Sequence, residues 1–300
     1  MPYIKRPNGD LIFYDVTGKG TPIITTHGFI ENGSYWGRTG ISAALADAGY
    51  CVVDMDLRGH GRSIPNINSP DFSIGSLVED INAVADANGF EKFHLLTHAT
   101  GGIISSYYIR KYWPRLLSMM ASDTSPCTNA VSSFLAPEWD GKEIPAQNPV
   151  PYPEGFLRSA WMFGENDFTQ LIDACRADVK NHWLGAFLNS FVDHPREEEC
   201  WRIVKEVFNC NNLDYCKLFC DNFDFDDSDP RTLELQKIGC PVLLMVGELD
   251  YSIVPGMECL SRNIPGAEYH VFKNSGHMTT MDNPELTIKT ILDFLSRLAV

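Results

Sequence analysis

The sequence predicts an α/β fold, in which a mostly parallel central sheet is flanked by helices and interrupted by an inserted helical segment. Short apolar runs alternate with amphipathic stretches over the first hundred residues, which is typical of successive βαβ units. The pattern then changes: prolines gather after residue 125, and aromatic-rich helical stretches follow. A strong apolar run finally restores the first pattern. We therefore predict a core at residues 1–124 and 233–300, and a helical cap at residues 125–232.

The strands are predicted from turn residues and apolar runs. Between Pro7 and Asp10, a proline, an asparagine and a glycine favour a turn that joins two short strands into a hairpin. Later apolar runs, bounded by residues such as glycine and proline that interrupt regular structure, predict buried strands. The predicted strands are Tyr3–Lys5, Leu11–Val16, Pro22–Thr26, Cys51–Met55, Phe93–Leu96, Leu116–Ala121, Pro241–Val246 and Glu268–Phe272.

The helices are predicted from apolar residues at helical spacing and from the residues that end them. After Ser73, apolar residues recur on one helical face, and Gly89 follows as a C-terminal stop. Pro114 ends the next helical stretch. The predicted helices are Ser42–Ala48, Ser73–Asn88, Ile103–Trp113 and Pro284–Leu298.

Composition excludes several classes of partner. The 300 residues carry a formal net charge of −15, whereas nucleic acid and anionic membranes require a basic face. No apolar run approaches the roughly 20 residues of a membrane-spanning helix, and the first residues lack the apolar core of a signal peptide. We therefore expect a cytoplasmic protein that binds a small-molecule substrate and neither nucleic acid nor membrane.

The nine cysteines are scattered, and their odd number is not typical of a disulfide framework. The tightest group is Cys210, Cys216 and Cys220, which has neither a C-x-x-C pair nor a nearby histidine. We expect reduced, mostly buried thiols and no metal site.

Two turns after predicted strands carry glycine and charged residues. His27, Gly28 and Phe29 follow the third predicted strand, where a glycine lets the backbone approach a ligand. The N–H of Phe29 is a candidate donor to a developing oxyanion. The segment Asp56–Ser63 follows the next strand, and we predict a structural role for its charged residues.

The turn from Thr97 to Gly102 carries the most information. A buried strand leads into it and a helix follows, while small residues allow the backbone to fold back on itself. This pattern is typical of the nucleophile elbow G-x-S-x-G, with Thr97 replacing the first glycine. Ala99 occupies the nucleophile position, and its methyl group cannot attack a carbonyl. The N–H of Thr100, at the start of the helix, is a second candidate for the oxyanion hole.

A carboxylate and a histidine follow the last two predicted strands. Asp250 is predicted to orient the imidazole of His277 and to stabilise its charged form. His277 is predicted to act first as general base and then as general acid. Asp123, which follows the strand after the elbow, is the rival candidate for the acid.

Together these segments resemble the α/β-hydrolase superfamily over nearly the whole chain. The resemblance covers the His27–Phe29 turn, the Asp56–Ser63 loop, the elbow, Asp250 and His277, in the family's order of nucleophile, acid and histidine. It points to the esterases, lactonases and haloperoxidase-like members with a helical cap, in which the nucleophile is usually serine. Haloalkane dehalogenases and epoxide hydrolases would require aspartate at residue 99.

The leading interpretation is a serine hydrolase of carboxylic esters or lactones whose nucleophile has been changed to alanine at Ala99. The aromatic residues of the predicted cap favour a medium-sized apolar or aromatic substrate. This chemistry requires no metal or organic cofactor. The candidates for substrate contact are His98, Trp161, Trp183 and Phe187.

Two alternatives keep the same pocket without a nucleophile. In the first, an Asp250–His277 dyad and an oxyanion hole deprotonate an acidic substrate, which the resemblance to proton-abstracting members of the superfamily implies. In the second, a receptor retains the pocket and binds a ligand without chemistry. Restoring serine at residue 99 separates these hypotheses, because only the disabled hydrolase gains activity.

Overall fold

An eight-stranded sheet forms the centre of the protein. The computed structural model describes residues 2–128, 162–164 and 166–298. The strands are β1 (Tyr3–Lys5), β2 (Leu11–Gly18), β3 (Thr21–Thr26), β4 (Tyr50–Met55), β5 (Phe93–His98), β6 (Leu116–Ser122), β7 (Val242–Gly247) and β8 (Glu268–Phe272). Their order is β1-β2-β4-β3-β5-β6-β7-β8. β1 and β2 pair antiparallel and β2 joins β4 antiparallel, while all later pairs are parallel.

Helices connect the parallel strands and cover both faces of the sheet, which confirms the predicted α/β fold class. Parallel neighbours need crossover connections, and helices supply most of them. The helices are α1 (Ser34–Arg38), α2 (Ile41–Asp47), α3 (Ile74–Ala87), α4 (Ala99–Tyr112), α5 (Phe168–Ala177), α6 (Gly185–Leu188), α7 (Glu197–Phe208), α8 (Leu213–Asn222), α9 (Thr232–Leu235), α10 (Val254–Asn263), α11 (Thr279–Asp282) and α12 (Pro284–Ser296).

Successive residues of the central strands enter two separate hydrophobic cores. In β3, Ile23 belongs to one core and Ile24 to the other, and in β5 the neighbours Leu96 and Leu95 divide in the same way. This division follows from the alternation of side chains along a strand. Because both faces are buried, these strands have continuous apolar runs, as expected of a parallel sheet.

Several helices begin or exist where the sequence prediction did not put them, among them the short helices α1, α9 and α11. α4 begins at Ala99, not at Ile103, because Gly101 and Gly102 lie in its first turn rather than in a loop. α10 was not predicted, because proline and glycine stand at its start and few apolar residues follow. Within the described ranges, no helix is long and apolar enough to cross a membrane.

Helices α5 to α8 lie in the chain between β6 and β7, within the predicted insertion. Their buried faces join the core that also contains α2 and α12. The assignment of residues 125–232 as a cap stays a prediction. Trp161, a candidate for substrate contact, lies outside the described residues.

Candidate active site

The turn from β5 into α4 holds its central residue in a strained conformation. Ala99 has a φ of 47°, in the left-handed region that residues other than glycine rarely adopt. The N–H of Gly101 donates to the carbonyl of His27 at 2.9 Å, and a Cβ at Gly101 would lie 2.5 Å from that carbonyl oxygen. The elbow therefore packs directly against the turn after β3, and only glycine fits at residue 101.

That turn brings its backbone close to residue 99. A Cβ at Gly28 would lie 2.9 Å from the Cβ of Ala99, so no larger residue fits between them. Phe29 follows Gly28 and is partly buried. Thr100 lies in the first turn of α4, where backbone N–H groups have no partner within the helix. Both segments that carry the predicted oxyanion donors therefore lie next to residue 99.

The side chains of Asp250 and His277 form a buried pair. The Nδ1–H of His277 donates to Oδ2 of Asp250 at 2.7 Å, and the two residues are only 6% and 1% exposed. Asp250 follows β7 and His277 follows β8, so neighbouring strands present them at one edge of the sheet. With Nδ1 protonated, the other ring nitrogen is left to accept a proton.

Asp123, the rival acid, has other partners. Its Oδ1 accepts from the N–H of Gly247 at 2.9 Å, and its Oδ2 accepts from the hydroxyl of Thr279 at 2.7 Å. Burial and the nearby charge of Asp250 raise the pKa of Asp123 to about 6. The geometry therefore favours Asp250 as the partner of His277.

His98 does not have the surface that substrate contact requires. Its side chain is fully buried, Nδ1 is 3.0 Å from Oε2 of Glu31, and Nε2 is 2.9 Å from the carbonyl oxygen of His277. Both ring nitrogens are thus engaged inside the protein. This finding corrects the role expected for His98, because a fully buried side chain has no surface left for a substrate.

Two acidic residues that support the site were not expected from the sequence. Glu31 is 1% exposed, and its Oε2 also accepts from the N–H of Gly28 at 2.5 Å. Asp282 accepts from the N–H of Gly276, directly before His277, at 2.7 Å. Burial, more than any other cause, raises the pKa of Asp282 to about 7. Neither residue belongs to a motif, and only the fold brings them to the site.

Of the aromatic candidates for substrate contact, Phe187 lies directly against His277. The ring of Phe187 lies 4.9 Å from the His277 ring, centroid to centroid, which places it beside the site. Trp183 is 8% exposed, and its indole N–H donates to the carbonyl of Met162 at 3.1 Å. Phe187 is therefore the better placed of the two.

The loop after β4 anchors the turn after β3, in keeping with the structural role predicted for it. Nε2 of His27 accepts from the N–H of Leu57 at 2.9 Å, and its Nδ1–H donates to the carbonyl of Gly28 at 2.8 Å. Arg58 is buried and pairs with the carboxylates of Asp10 and Asp80. These contacts hold the loop in place.

One group of potential metal ligands occurs in the described part of the chain. Atoms of His194, Cys200 and Asp282 lie within 4.8 Å of one another. Nδ1 of His194 accepts from the N–H of Arg196 at 3.1 Å, and both oxygens of Asp282 already accept hydrogen bonds. Because these atoms serve the protein's own hydrogen bonds, we assign no metal to the group.

Comparisons with known proteins agree with this architecture. The family described as alpha/beta hydrolase fold matches residues 21–284. The chain is 34% identical over 284 residues to the pimeloyl-(acyl-carrier protein) methyl ester esterase of Aeromonas hydrophila subsp. hydrophila, covering 93% of this chain and 96% of that protein. It is 25% identical over 290 residues to the proline iminopeptidase of Heyndrickxia coagulans, covering 94% and 93%.

A solved structure shows the same fold. It is a meta-cleavage product hydrolase from Pseudomonas fluorescens IP01, a serine-to-alanine mutant complexed with acetates, with a TM-score of 0.72 and 19% identity. The alignment covers 99% of this chain and 98% of that one. At this identity the likeness supports the fold alone.

Proposed function

The chain belongs to the α/β-hydrolase fold family, and from that premise we propose that it is a serine hydrolase scaffold for carboxylic esters or lactones in which alanine replaces the nucleophile. The observation that carries the proposal is the left-handed backbone at Ala99. Such a conformation costs on the order of 1–3 kcal/mol and persists where the surrounding structure requires it. In this family it presents a nucleophile to the pocket.

The mechanism follows from the groups around residue 99. A hydroxyl at this position attacks the ester carbonyl while His277 takes its proton, and Asp250 stabilises the resulting imidazolium. The N–H groups of Phe29 and Thr100 stabilise the oxyanion. His277 then protonates the leaving alcohol, which departs and leaves an acyl-enzyme. Water attacks this ester with His277 as base, which releases the acid and restores the hydroxyl.

The substrate we propose is a medium-sized ester or lactone with an apolar or aromatic part. The relative with 34% identity is a methyl ester esterase, which supports an ester bond. The ring of Phe187 lies against the ring of His277. Phe29, which carries a predicted oxyanion donor, contacts the ring of Phe163 with 6.2 Å between the ring centroids. These rings favour apolar contact over recognition of charge. We propose that helices of the inserted segment, residues 125–232, cover this substrate.

The test is the Ala99→Ser variant against a panel of p-nitrophenyl esters and lactones. We expect its kcat to exceed that of the unmodified chain by roughly 10⁴–10⁶-fold, the range lost when a triad serine is removed. A fluorophosphonate probe is expected to label residue 99. In the control, Ala99→Ser combined with His277→Ala, the gain is expected to disappear. A folded Ala99→Ser variant that neither reacts with the probe nor hydrolyses any member of the panel would refute the proposal.

The intact Asp250–His277 pair favours one second candidate, a proton-abstracting enzyme that needs no nucleophile. Their 2.7 Å hydrogen bond is present although residue 99 has no hydroxyl. This candidate expects the unmodified chain to exchange the acidic carbon-bound proton of a ketone substrate for deuterium, and His277→Ala to stop the exchange. Ligand binding without exchange, and without activity in the Ala99→Ser variant, would indicate a receptor instead.

A further inference from the structure

The side chains of Glu31 and His98 form a buried ion pair, which joins the turn after β3, the elbow and the segment that carries His277. We propose that Glu31 and His98 are positioning residues, which hold the oxyanion loop and the backbone of the catalytic histidine in fixed relation. The inference rests on the proposed function, because it assigns the pair to the same reaction. Neither residue contacts the reacting atoms.

The contacts form one continuous chain. The N–H of Gly28 donates to Oε2 of Glu31 at 2.5 Å, and the same oxygen accepts from Nδ1–H of His98 at 3.0 Å. The Nε2–H of His98 then donates to the carbonyl oxygen of His277 at 2.9 Å. Because both partners of the ring are acceptors, both ring nitrogens carry hydrogen and His98 is an imidazolium.

Burial and charge both favour a fixed arrangement. Glu31 is 1% exposed and His98 is fully buried. Burial by itself would lower the pKa of His98, but the charge and hydrogen bond of Glu31 raise it to about 9, with a further contribution from Asp123. The ring of Tyr35 stacks on the His98 ring at 4.9 Å and 19°. A charged, stacked and doubly bonded side chain has little freedom to move.

The chain of contacts joins segments that are far apart in sequence. Glu31 and His98 are 67 residues apart, and His98 and His277 are 179 apart. Glu31 fixes the turn that carries Phe29, and His98 fixes the backbone of His277. His98 also directly precedes residue 99 in the chain. Catalysis requires the oxyanion donor of Phe29 and the imidazole of His277 to keep fixed positions relative to residue 99, since a misplacement of about 1 Å can lower the rate about 10²-fold.

Asp250 alone does not supply this constraint. It holds the ring of His277 through Nδ1, whereas His98 holds the main-chain carbonyl of the same residue. The oxyanion loop receives no contact from Asp250 in the described hydrogen bonds. Among the hydrogen bonds of the described residues, those of the Glu31–His98 pair join the oxyanion loop, the elbow and His277. Loss of the pair is therefore expected to affect turnover more than substrate binding.

The test compares Glu31→Gln with its parent in the Ala99→Ser background. Glutamine keeps an oxygen that can accept from Gly28 and removes the charge that holds His98. We expect kcat, per enzyme labelled by a fluorophosphonate probe, to fall roughly 10- to 100-fold while KM changes less than about threefold. The matched control is Asp54→Asn, which removes the charge of a buried carboxylate that accepts hydrogen bonds from the hydroxyls of Thr25 and Ser42, outside the site. It is expected to lower the melting temperature without changing kcat per labelled enzyme.

A spectroscopic measurement needs no variant. In the unmodified chain, nitrogen-15 NMR at pH 7 is expected to show two slowly exchanging ring N–H protons for His98. An unchanged kcat in Glu31→Gln, or a neutral His98, would overturn the inference while leaving the proposed function intact. An inactive Ala99→Ser parent would refute the proposed function before the pair is tested. Should Glu31→Gln not fold, Glu31→Asp replaces it, and an unchanged kcat there together with a neutral His98 would refute the inference.

Discussion

The buried imidazolium of His98 makes the stability of the protein depend on pH above neutrality. Its pKa is about 9 in the folded protein, because Glu31 outweighs the effect of burial, against 6.5 for an unperturbed histidine. The folded state therefore binds this proton more tightly than the unfolded state. The resulting stabilisation is complete below pH 6.5 and is lost as the pH rises through 9.

The magnitude follows from the two pKa values. A shift from 6.5 to about 9 corresponds to a total of about 3 kcal/mol, of which about 2 kcal/mol is lost between pH 7 and pH 9. His98 is fully buried, so solvent does not screen its interaction with Glu31. Against a typical free energy of unfolding of about 5–15 kcal/mol, a loss of this size is measurable.

The assay is urea-induced unfolding at pH 7, 8 and 9, for the unmodified chain and for Glu31→Gln. The cysteine thiols of the unfolded chain also titrate in this range, but they affect both proteins equally. The difference in free energy of unfolding between the two proteins is therefore expected to shrink by about 2 kcal/mol from pH 7 to pH 9. A difference that stays constant over this range would show that His98 is neutral in the folded protein and would refute the reasoning.

Three further predictions test the packing, the acid and the thiols. Gly101→Ala is expected to lower the free energy of unfolding by about 1–3 kcal/mol or more, because the added Cβ would meet backbone and side-chain atoms at 2.5–2.7 Å. The control is Gly37→Ala, where the added Cβ would face open space and the free energy of unfolding is not expected to fall. Urea unfolding measures both variants. Asp250→Asn in the Ala99→Ser background is expected to lower kcat roughly 10⁴-fold, measured on the best ester of the panel; an unchanged kcat would exclude it as the acid. Cys210 is exposed, so it is expected to react first with a disulfide reagent in the native protein, and Cys210→Ser is expected to remove that fast phase.

Local signals in the sequence were sufficient for most of the core. β1 and β8 have the predicted ends, and Ser73 caps α3 where the prediction began that helix. These features depend on turn residues, caps and apolar spacing within a few positions. α10 escaped prediction because its buried face consists of few residues beside proline and glycine. Its helical state depends on packing against β7 and β8, which no short segment encodes.

In the site, too, some features follow from local sequence and others only from the tertiary fold. Asp250 and His277 could be expected near one another, because the carboxyl ends of parallel strands meet at one edge of a sheet. The roles of Glu31 and Asp282 could not, since a charged side chain is usually exposed and only the tertiary fold buries these two. His98 received the wrong role for a related reason: proximity to the elbow in sequence does not determine where a side chain points.

Residue 99 contributes shape to the elbow, and other groups hold that shape. Its carbonyl accepts from the hydroxyl of Thr124 at 2.7 Å, and the N–H of Gly101 donates to His27. The described hydrogen bonds of the site use no atom of the Ala99 side chain. An added hydroxyl at residue 99 therefore meets a backbone that already has the elbow conformation. The hydrogen bond between Asp250 and His277, the predicted general base, is also already formed. A gain of activity in Ala99→Ser would consequently report the chemistry of that oxygen rather than a rearrangement of the site.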